Sequence, residues 1–210
     1  MAYFPLFISL NKVPCLVVGG GMVALRKIRV LLDFGAEVTV VATRFLGEIV
    51  EMDHMVKRVE KTYEPEDLNG YSLVIAATDD KNLNHRISRD CRDKGIFVNA
   101  VDQQEDCDFI LPSYLKAGDV VAAFSSGGNS PVVTQYLKEK NRDFVTENLG
   151  EITEYLGSIR EKVKAEISGE PRRKQVYLEL LGYWERTGEI PPDSQFECVI
   201  QKYKQSGERN

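Results

Sequence analysis

The sequence predicts an α/β protein whose parallel sheet is covered by helices, followed by a short segment of different character and a helical C-terminal domain. Three observations predict it. Short, nearly continuous apolar runs alternate with helical periodicity through the first hundred or so residues, the pattern of strands buried on both faces. Three consecutive glycines, Gly19 to Gly21, sit between the first such run and the first helical pattern. Strand signals then thin out after Pro112, and from about Phe144 the chain is charged and helical. Strands alternating with helices behind one such glycine turn make a Rossmann-type arrangement.

The opening "MAYFPLFISLNK" has a short apolar core, no basic leader and no small-residue cleavage site. It is therefore expected to be an opening strand or turn packed on the first domain rather than a signal peptide. Residues 15–18 form a first buried strand. From Val23 the apolar positions Ala24, Ile28, Leu31 and Leu32 recur at helical spacing, and Gly35 stops that helix as a left-handed cap. "EVTVVA" (37–42) is a second strand, which completes a β-α-β unit. "HMVKRVEKTY" is a weak third strand, "EPEDLNG" a helical turn or loop, and "YSLVIAATDD" a strong strand. A helix follows from about Asn82 to Lys94, with Leu83, Ile87 and Cys91 on one face and Gly95 at its end. "IFVNAVD" is the next strand.

"SYLKAGDVVAAFSS" then reads as a hairpin turning at Ala117-Gly118-Asp119, and "GGNSPVVTQYLKEK" as a loop feeding a helix. The helical remainder is interrupted at Gly169-Glu170-Pro171 and turns at "GEIPPDS". The last dozen residues are a final helix with a frayed end. The expected divisions are 1–112, 113–145 and 146–210.

A net charge of −5 argues against a general nucleic-acid binder. No apolar run approaches the roughly 18 residues that span a bilayer. Cys15, Cys91, Cys107 and Cys198 form no C-x-x-C pair and read as buried free thiols of a reducing cytosol. His54 and His85 show no ligand spacing, so no preformed metal site is expected. The clusters Arg26-Lys27-Arg29 and Lys138 to Arg142 read first as solvated helix faces.

Gly19-Gly20-Gly21-Met22-Val23-Ala24 fits G-x-G-x-x-A between a strand and a helix. Gly19 permits the tight turn, Gly21 lets backbone approach a pyrophosphate, and Ala24 lets the helix lie close to the sheet. The anion then meets free N–H groups at the helix N-terminus. The acidic ribose partner usual at the end of the second strand is missing; Ala42-Thr43-Arg44 stands there, and Asp33 and Glu37 come too early. Thr43 can offer a hydroxyl to the ribose. Arg44 can lie against adenine or pair with a 2′-phosphate, so spacing leaves NAD and NADP both open.

Asp102 closes "FVNAVD" at the carboxyl end of a strand, where ligands of open parallel sheets gather. It reads either as a loop cap or as a carboxylate that takes a proton, orients a substrate amine or N–H, or approaches a metal. "SSGGNSP" (125–131) places Ser130 as N-cap and Pro131 at the first helical position. It is either a capped helix alone or a second nest of donors for an anionic substrate.

The motifs "FPLFISL", "CLVVGGGMVALRK", "VIAATDDKNLNHRIS", "FVNAVD", "FILPS" and "SSGGNSPV", in this order, resemble those of precorrin-2 dehydrogenases, the dehydrogenase/ferrochelatase modules of siroheme synthesis. The resemblance is close over residues 1–145 and loose beyond. It implies a cytoplasmic enzyme that oxidises precorrin-2 to sirohydrochlorin with NAD, and in some members inserts ferrous iron at the same site. It implies a homodimer built through 113–145, the dimerisation segment. It places cofactor contacts on Gly19, Gly21, Met22, Val23, Thr43 and Arg44, with Thr78 and Asp79 near the cofactor. It places the catalytic aspartate on Asp102 and a serine phosphorylated in some relatives on Ser126. The family commonly binds NAD without the acidic ribose partner. Precorrin-2 carries eight carboxylates; Ser126, Gly127, Gly128, Asn129 and Ser130, with Lys138 or Arg142, can supply donors and cations for them. The resemblance is to the dehydrogenase/ferrochelatase module, and the methyltransferase half of the fused enzymes is not expected within these 210 residues. A competing reading is a nucleotide-sensing regulatory module without catalysis, which explains the glycine turn but not Asp102 or "SSGGNSP".

Overall fold

The computed structural model describes residues 3–205. It comprises two units, Met1–Leu111 and Pro112–Asn210. The first is built from β1 (Pro14–Val18), α1 (Met22–Asp33), β2 (Glu37–Ala42), α2 (Gly47–Glu51), β3 (Val56–Glu60), β4 (Leu73–Ala76), α3 (Lys81–Asp93) and β5 (Phe97–Ala100). The strand order is β3-β2-β1-β4-β5 and every ladder is parallel. The chain runs outward from β1 to β3, then returns to the other side of β1 for β4 and β5. That reversal opens a crevice at the carboxyl ends of β1 and β4.

Both faces of the sheet are covered, which is why β1 needs apolar residues throughout. Cys15 and Val17 face a core shared with Ala24, Leu25, Ile28 and Leu31 of α1. Leu16 and Val18 face the opposite core, shared with Ile87 and Cys91 of α3. Alternate residues of a strand point to opposite faces, so a polar substitution at any position from Cys15 to Val18 would enter one core or the other. Burial of each leucine or isoleucine contributes about 1.5–3 kcal/mol.

The two covering helices end alike. Gly35 has φ 76° and Gly95 φ 68°. After α1, the Ala36 and Gly35 amides donate to the carbonyls of Leu31 and Leu32; after α3, those of Ile96 and Gly95 donate to Cys91 and Arg92. These paired bonds satisfy the last helical carbonyls through a left-handed residue, the conformation glycine adopts without strain.

In the second unit, β6 (Ser113–Ala117) and β7 (Val120–Phe124) form an antiparallel hairpin that turns through Gly118 at φ 56°. Helices α4 (Pro131–Asn141), α5 (Glu147–Ser158), α6 (Arg160–Glu166), α7 (Glu170–Thr187) and α8 (Asp193–Gln205) follow. The hairpin meets α5 backbone to backbone: a Cβ on Gly150 would lie 2.8 Å from the Ala117 carbonyl oxygen. Val163, Ile167, Val176, Leu180, Phe196, Val199 and Ile200 make the helical core.

Several expectations need correction. The opening segment is no strand over its described residues, and Phe4, Leu6, Phe7 and Ile8 are exposed; only Leu10 and Val13 reach the core. Met1 and Ala2, and the frayed end expected after Gln205, lie outside the described residues. The strong strand expected over 71–80 shortens to Leu73–Ala76, because Asp80 caps α3 and the residues before it must turn. Helix α2, unforeseen, is a single five-residue turn, too short to show periodicity. Cys15 and Cys91 are buried, but Cys107 is only half-buried and Cys198 is exposed.

Candidate active site

The glycine turn is shaped by backbone rather than by side chains. A Cβ on Gly19 would lie 2.2 Å from the Ala77 carbonyl oxygen, and one on Gly20 would lie 2.0 Å from that of Arg44. The turn is thus wedged between the ends of β4 and β2. The Gly19 amide donates to Val41 O and the Leu46 amide to Gly20 O. A Cβ on Gly21, in contrast, would meet nothing within 4 Å. The steric demand therefore falls on Gly19 and on Gly20, a position the G-x-G-x-x-A pattern leaves free. Gly21 caps α1 with no side-chain hydrogen bond, and the first turn carries no acid. The first bond back into the helix comes from Leu25. The amides of Met22 and Val23 thus belong to the helix's orphan donors, and the positive end of its dipole faces open space. A pyrophosphate fits this cradle.

Thr43 and Arg44 follow β2 at the same edge, both exposed. Thr78, at the end of β4, is more constrained. Its hydroxyl donates to Asn84 Oδ1 (2.7 Å), its amide to the same oxygen (3.1 Å), and Asn84 Nδ2 returns a bond to Thr78 O (3.0 Å). Asn84 is 2% exposed. Asp79 is exposed, while Asp80 Oδ1 accepts from the amides of Asn82 and Leu83 and so caps α3. Asn84 and Asp80 shape this corner and were not singled out from sequence.

Asp102 lies two residues beyond β5, not on it, and has φ 61°. An aspartate tolerates this region better than most residues, but such a conformation is sparsely populated and concentrates at functional sites. Register aligns Val18 with Ala76 and Ala76 with Ala100, so Gly19 and Asp102 emerge from the same edge. Two strand spacings, about 10 Å, separate β1 from β5. The Asp102 side chain is exposed and lies close enough to Lys27 of α1 to influence its charge. Burial pushes the Lys27 ammonium below the usual lysine range, and the nearby Cys107 and Asp102 only partly oppose this. Lys27 therefore stands apart from the exposed Arg26 and Arg29 with which sequence grouped it.

His85 also acquires a partner. Its Nδ1 lies 2.9 Å from both carboxylate oxygens of Asp106, which is 2% exposed. The two residues are 21 apart, and no short-range spacing announces the pair.

In the second unit, "SSGGNSP" closes on itself. Gly127 and Gly128 have φ 63° and 88°. Ser126 Oγ donates to Ser130 O (3.0 Å) and accepts from the Ser130 amide (2.9 Å). Asn129 donates to Ser126 O through its amide and through Nδ2, and Ser130 Oγ accepts from the Val133 amide. Arg142 is held by Glu139 through two short bonds. Lys138 lies over the Tyr114 ring at 5.6 Å. Among the described residues no group of three His, Cys, Asp or Glu could hold a metal ion, and no helix is long and apolar enough to cross a membrane. A depression at the opposite, amino edge is lined by Pro14, Glu37, Val56, Lys57 and Tyr71, remote from the glycine turn.

Residues 6–113 match the profile of a family described as putative NAD(P)-binding. The chain belongs to that family. The glycine turn lies within the matched residues. Among curated relatives, the siroheme synthase of Methylococcus capsulatus is 37% identical over 211 residues, covering 100% of this chain and 42% of the relative. Siroheme synthase 1 of Pectobacterium atrosepticum is 40% identical over 189 residues, covering 89% of this chain and 38% of the relative. The chain thus spans about two fifths of the length of these relatives. Among solved structures, "SirC, precorrin-2 dehydrogenase" matches with a TM-score of 0.72 at 26% identity, covering 96% of this chain and 100% of that one.

Proposed function

We propose that this chain oxidises precorrin-2 to sirohydrochlorin with NAD, a step toward siroheme. The observation that carries the reading is the end-to-end likeness to a precorrin-2 dehydrogenase, combined with a glycine turn and Asp102 that leave the sheet at one edge. NAD, when bound, accepts a hydride. The chain's own residues do the rest. The turn at Gly19 and Gly21, with the amides of Met22 and Val23, holds the pyrophosphate; Thr43 and Arg44 border the ribose and adenine; Thr78 and Asp79 border the crevice. Asp102 takes the proton that accompanies hydride loss, so one two-electron oxidation yields sirohydrochlorin, reduced cofactor and one proton. Lys27 lies near that carboxylate, with burial pulling its ammonium below the usual lysine range. Much of the acceleration comes from positioning.

The substrate's carboxylates are assigned to the segment Ser126, Gly127, Gly128, Asn129 and Ser130, whose internal hydrogen bonds already take up part of its donors, with Lys138 as a cation. Arg142, already paired with Glu139, is a weaker candidate than its sequence position suggests. A second copy of the chain is the partner we assign to the exposed apolar residues of 113–145: α4 buries none of its residues, and Val132, Tyr136 and Phe144 are 78%, 59% and 74% exposed. Four unpaired cysteines support a cytoplasmic location. Insertion of ferrous iron into the product is a second reading. It is favoured by relatives named for siroheme synthesis, with iron as a substrate and Asp102 receiving pyrrole protons.

The test is anaerobic mixing of the protein with precorrin-2 and NAD, following NADH and sirohydrochlorin by absorbance. Cofactor-dependent turnover is expected, and its absence would sink the dehydrogenase in favour of a nucleotide-sensing module. Ferrous ion added to sirohydrochlorin tests chelation separately, and light scattering tests the dimer.

A further inference from the structure

We propose that Cys107 and Asp106 are positioning residues that lock the turn presenting Asp102, a role that rests on the assignment of Asp102 as the proton acceptor. The turn is held on both sides. Before it, the Val101 amide donates to Ala76 O, so the chain stays tied to β4 up to the residue preceding Asp102. Within it, one sulfur atom closes the loop: Cys107 Sγ lies 3.0 Å from Ala100 O and 3.3 Å from Gln103 O. These carbonyls flank Val101 and Asp102. A single thiol reaches both only when the backbone doubles back between them, and the positive φ of Asp102 is part of that reversal. The thiol proton is shared between two acceptors, and Asn99 Nδ2 approaches the sulfur at 3.5 Å.

After the turn, Gln103 is held twice by Asp106. The Asp106 amide donates to Gln103 O at 3.1 Å, and Asp106 Oδ2 accepts from Gln103 Nε2 at 3.1 Å. Asp106 is in turn fixed to α3, because Ser88 Oγ donates to its carbonyl at 2.8 Å and His85 Nδ1 meets its carboxylate. The residue following Asp102 is thus anchored through main chain and side chain to a buried carboxylate, while the Asp102 carboxylate itself stays exposed to meet a ligand. Such over-determination is what allows an uncommon backbone conformation to persist. It leaves the reacting group prearranged, without a search at the moment of reaction.

The test is a double-mutant cycle in the full chain, read by anaerobic NADH formation and by NAD affinity. Cys107→Ala removes the thiol donor without adding bulk, and is expected to lower kcat about tenfold while the Kd for NAD stays within about twofold. Cys107→Ser, which restores a donor, is expected to recover most of that loss. Asp106→Asn, which keeps the shape but weakens the acceptor, is expected to lower kcat less than Cys107→Ala. In an Asp102→Asn background, chosen because asparagine also tolerates the left-handed region, Cys107→Ala is expected to have no further effect on turnover. Unchanged kcat in Cys107→Ala, no recovery in Cys107→Ser, or an undiminished Cys107 effect in the Asp102→Asn background would overturn the clamp. Full activity of Asp102→Asn alone would instead remove Asp102 from its assigned role. If Cys107→Ala fails to fold by circular dichroism, the Asp106→Asn and Asp102→Asn pair supplies the same cycle.

Discussion

Two glycine-rich turns in this chain, at 19–21 and 127–128, each precede a helix, yet they are opposite devices. The first is shaped by sterics: backbone carbonyls of Ala77 and Arg44 occupy the space where side chains would project, and no hydroxyl or carboxylate covers the end of α1. The second is shaped by positive φ angles and by its own serines, and Ser130 already occupies the end of α4. The first leaves its donors to a ligand, whereas the second consumes part of its hydrogen-bonding capacity internally. A glycine pair before a helix is therefore not by itself an anion site. What decides is whether a side chain has claimed the helix end.

The sharpest way to break this contrast is Gly20→Ala. The new methyl would meet backbone at 2.0 Å, and neither strand end can retreat cheaply. A loss of about 3 kcal/mol or more is expected in denaturant unfolding, and near-wild-type stability would show that the wedge is imaginary. Gly21→Asp should separate folding from binding. Its Cβ meets nothing, and aspartate is a good N-cap, so stability should hold or rise by a few tenths of a kcal/mol. NAD affinity, measured by calorimetry, should fall by about 100-fold as the carboxylate takes the pyrophosphate's place. A folded variant with unchanged affinity would move the cofactor elsewhere.

The first turn also hangs from β1, whose Cys15 thiol is pushed up to about 11 by burial, against 9.0 for a free thiol. A raised folded value means the neutral thiol's contribution is complete below pH 9 and is lost as pH climbs toward 11. The slope is roughly 1.4 kcal/mol per pH unit. Denaturant midpoints across that window should fall more steeply for the native chain than for Cys15→Ala; equal slopes would contradict the burial. The smallest effect is expected at the second turn. Ser130→Ala removes a cap and should cost about 1 kcal/mol, with NAD affinity untouched. A change in NAD affinity there would mean the two turns are not the separate devices described.

Much of the first unit was legible without coordinates. β2 runs over the expected residues because its apolar run is bounded by Gly35 and by the polar Thr43-Arg44. The ends of α1 and α3 were legible because Gly35 and Gly95 satisfy a purely local demand for a left-handed residue. Legibility failed where the deciding partner is distant in sequence. Gly20 looks free until Arg44 O is seen against it. Lys27 looks like its exposed neighbours until the Asp102 turn comes alongside. The pairing of His85 with Asp106 and the bonding of Thr78 to Asn84 depend on how helices settle on strands, and no short-range pattern encodes either.

By itself, then, the sequence determined the order of strands and helices, the points where helices stop, and the glycine turn with its open helix end. These follow from side-chain period and backbone sterics, which act over a few residues. Only the tertiary structure decided that Asp102 leaves the sheet in a left-handed turn, and that Cys107 and Asp106 hold it there. Strand pairing and buried hydrogen bonds join residues far apart along the chain, and their cost or gain exists only once both partners have been brought out of water together.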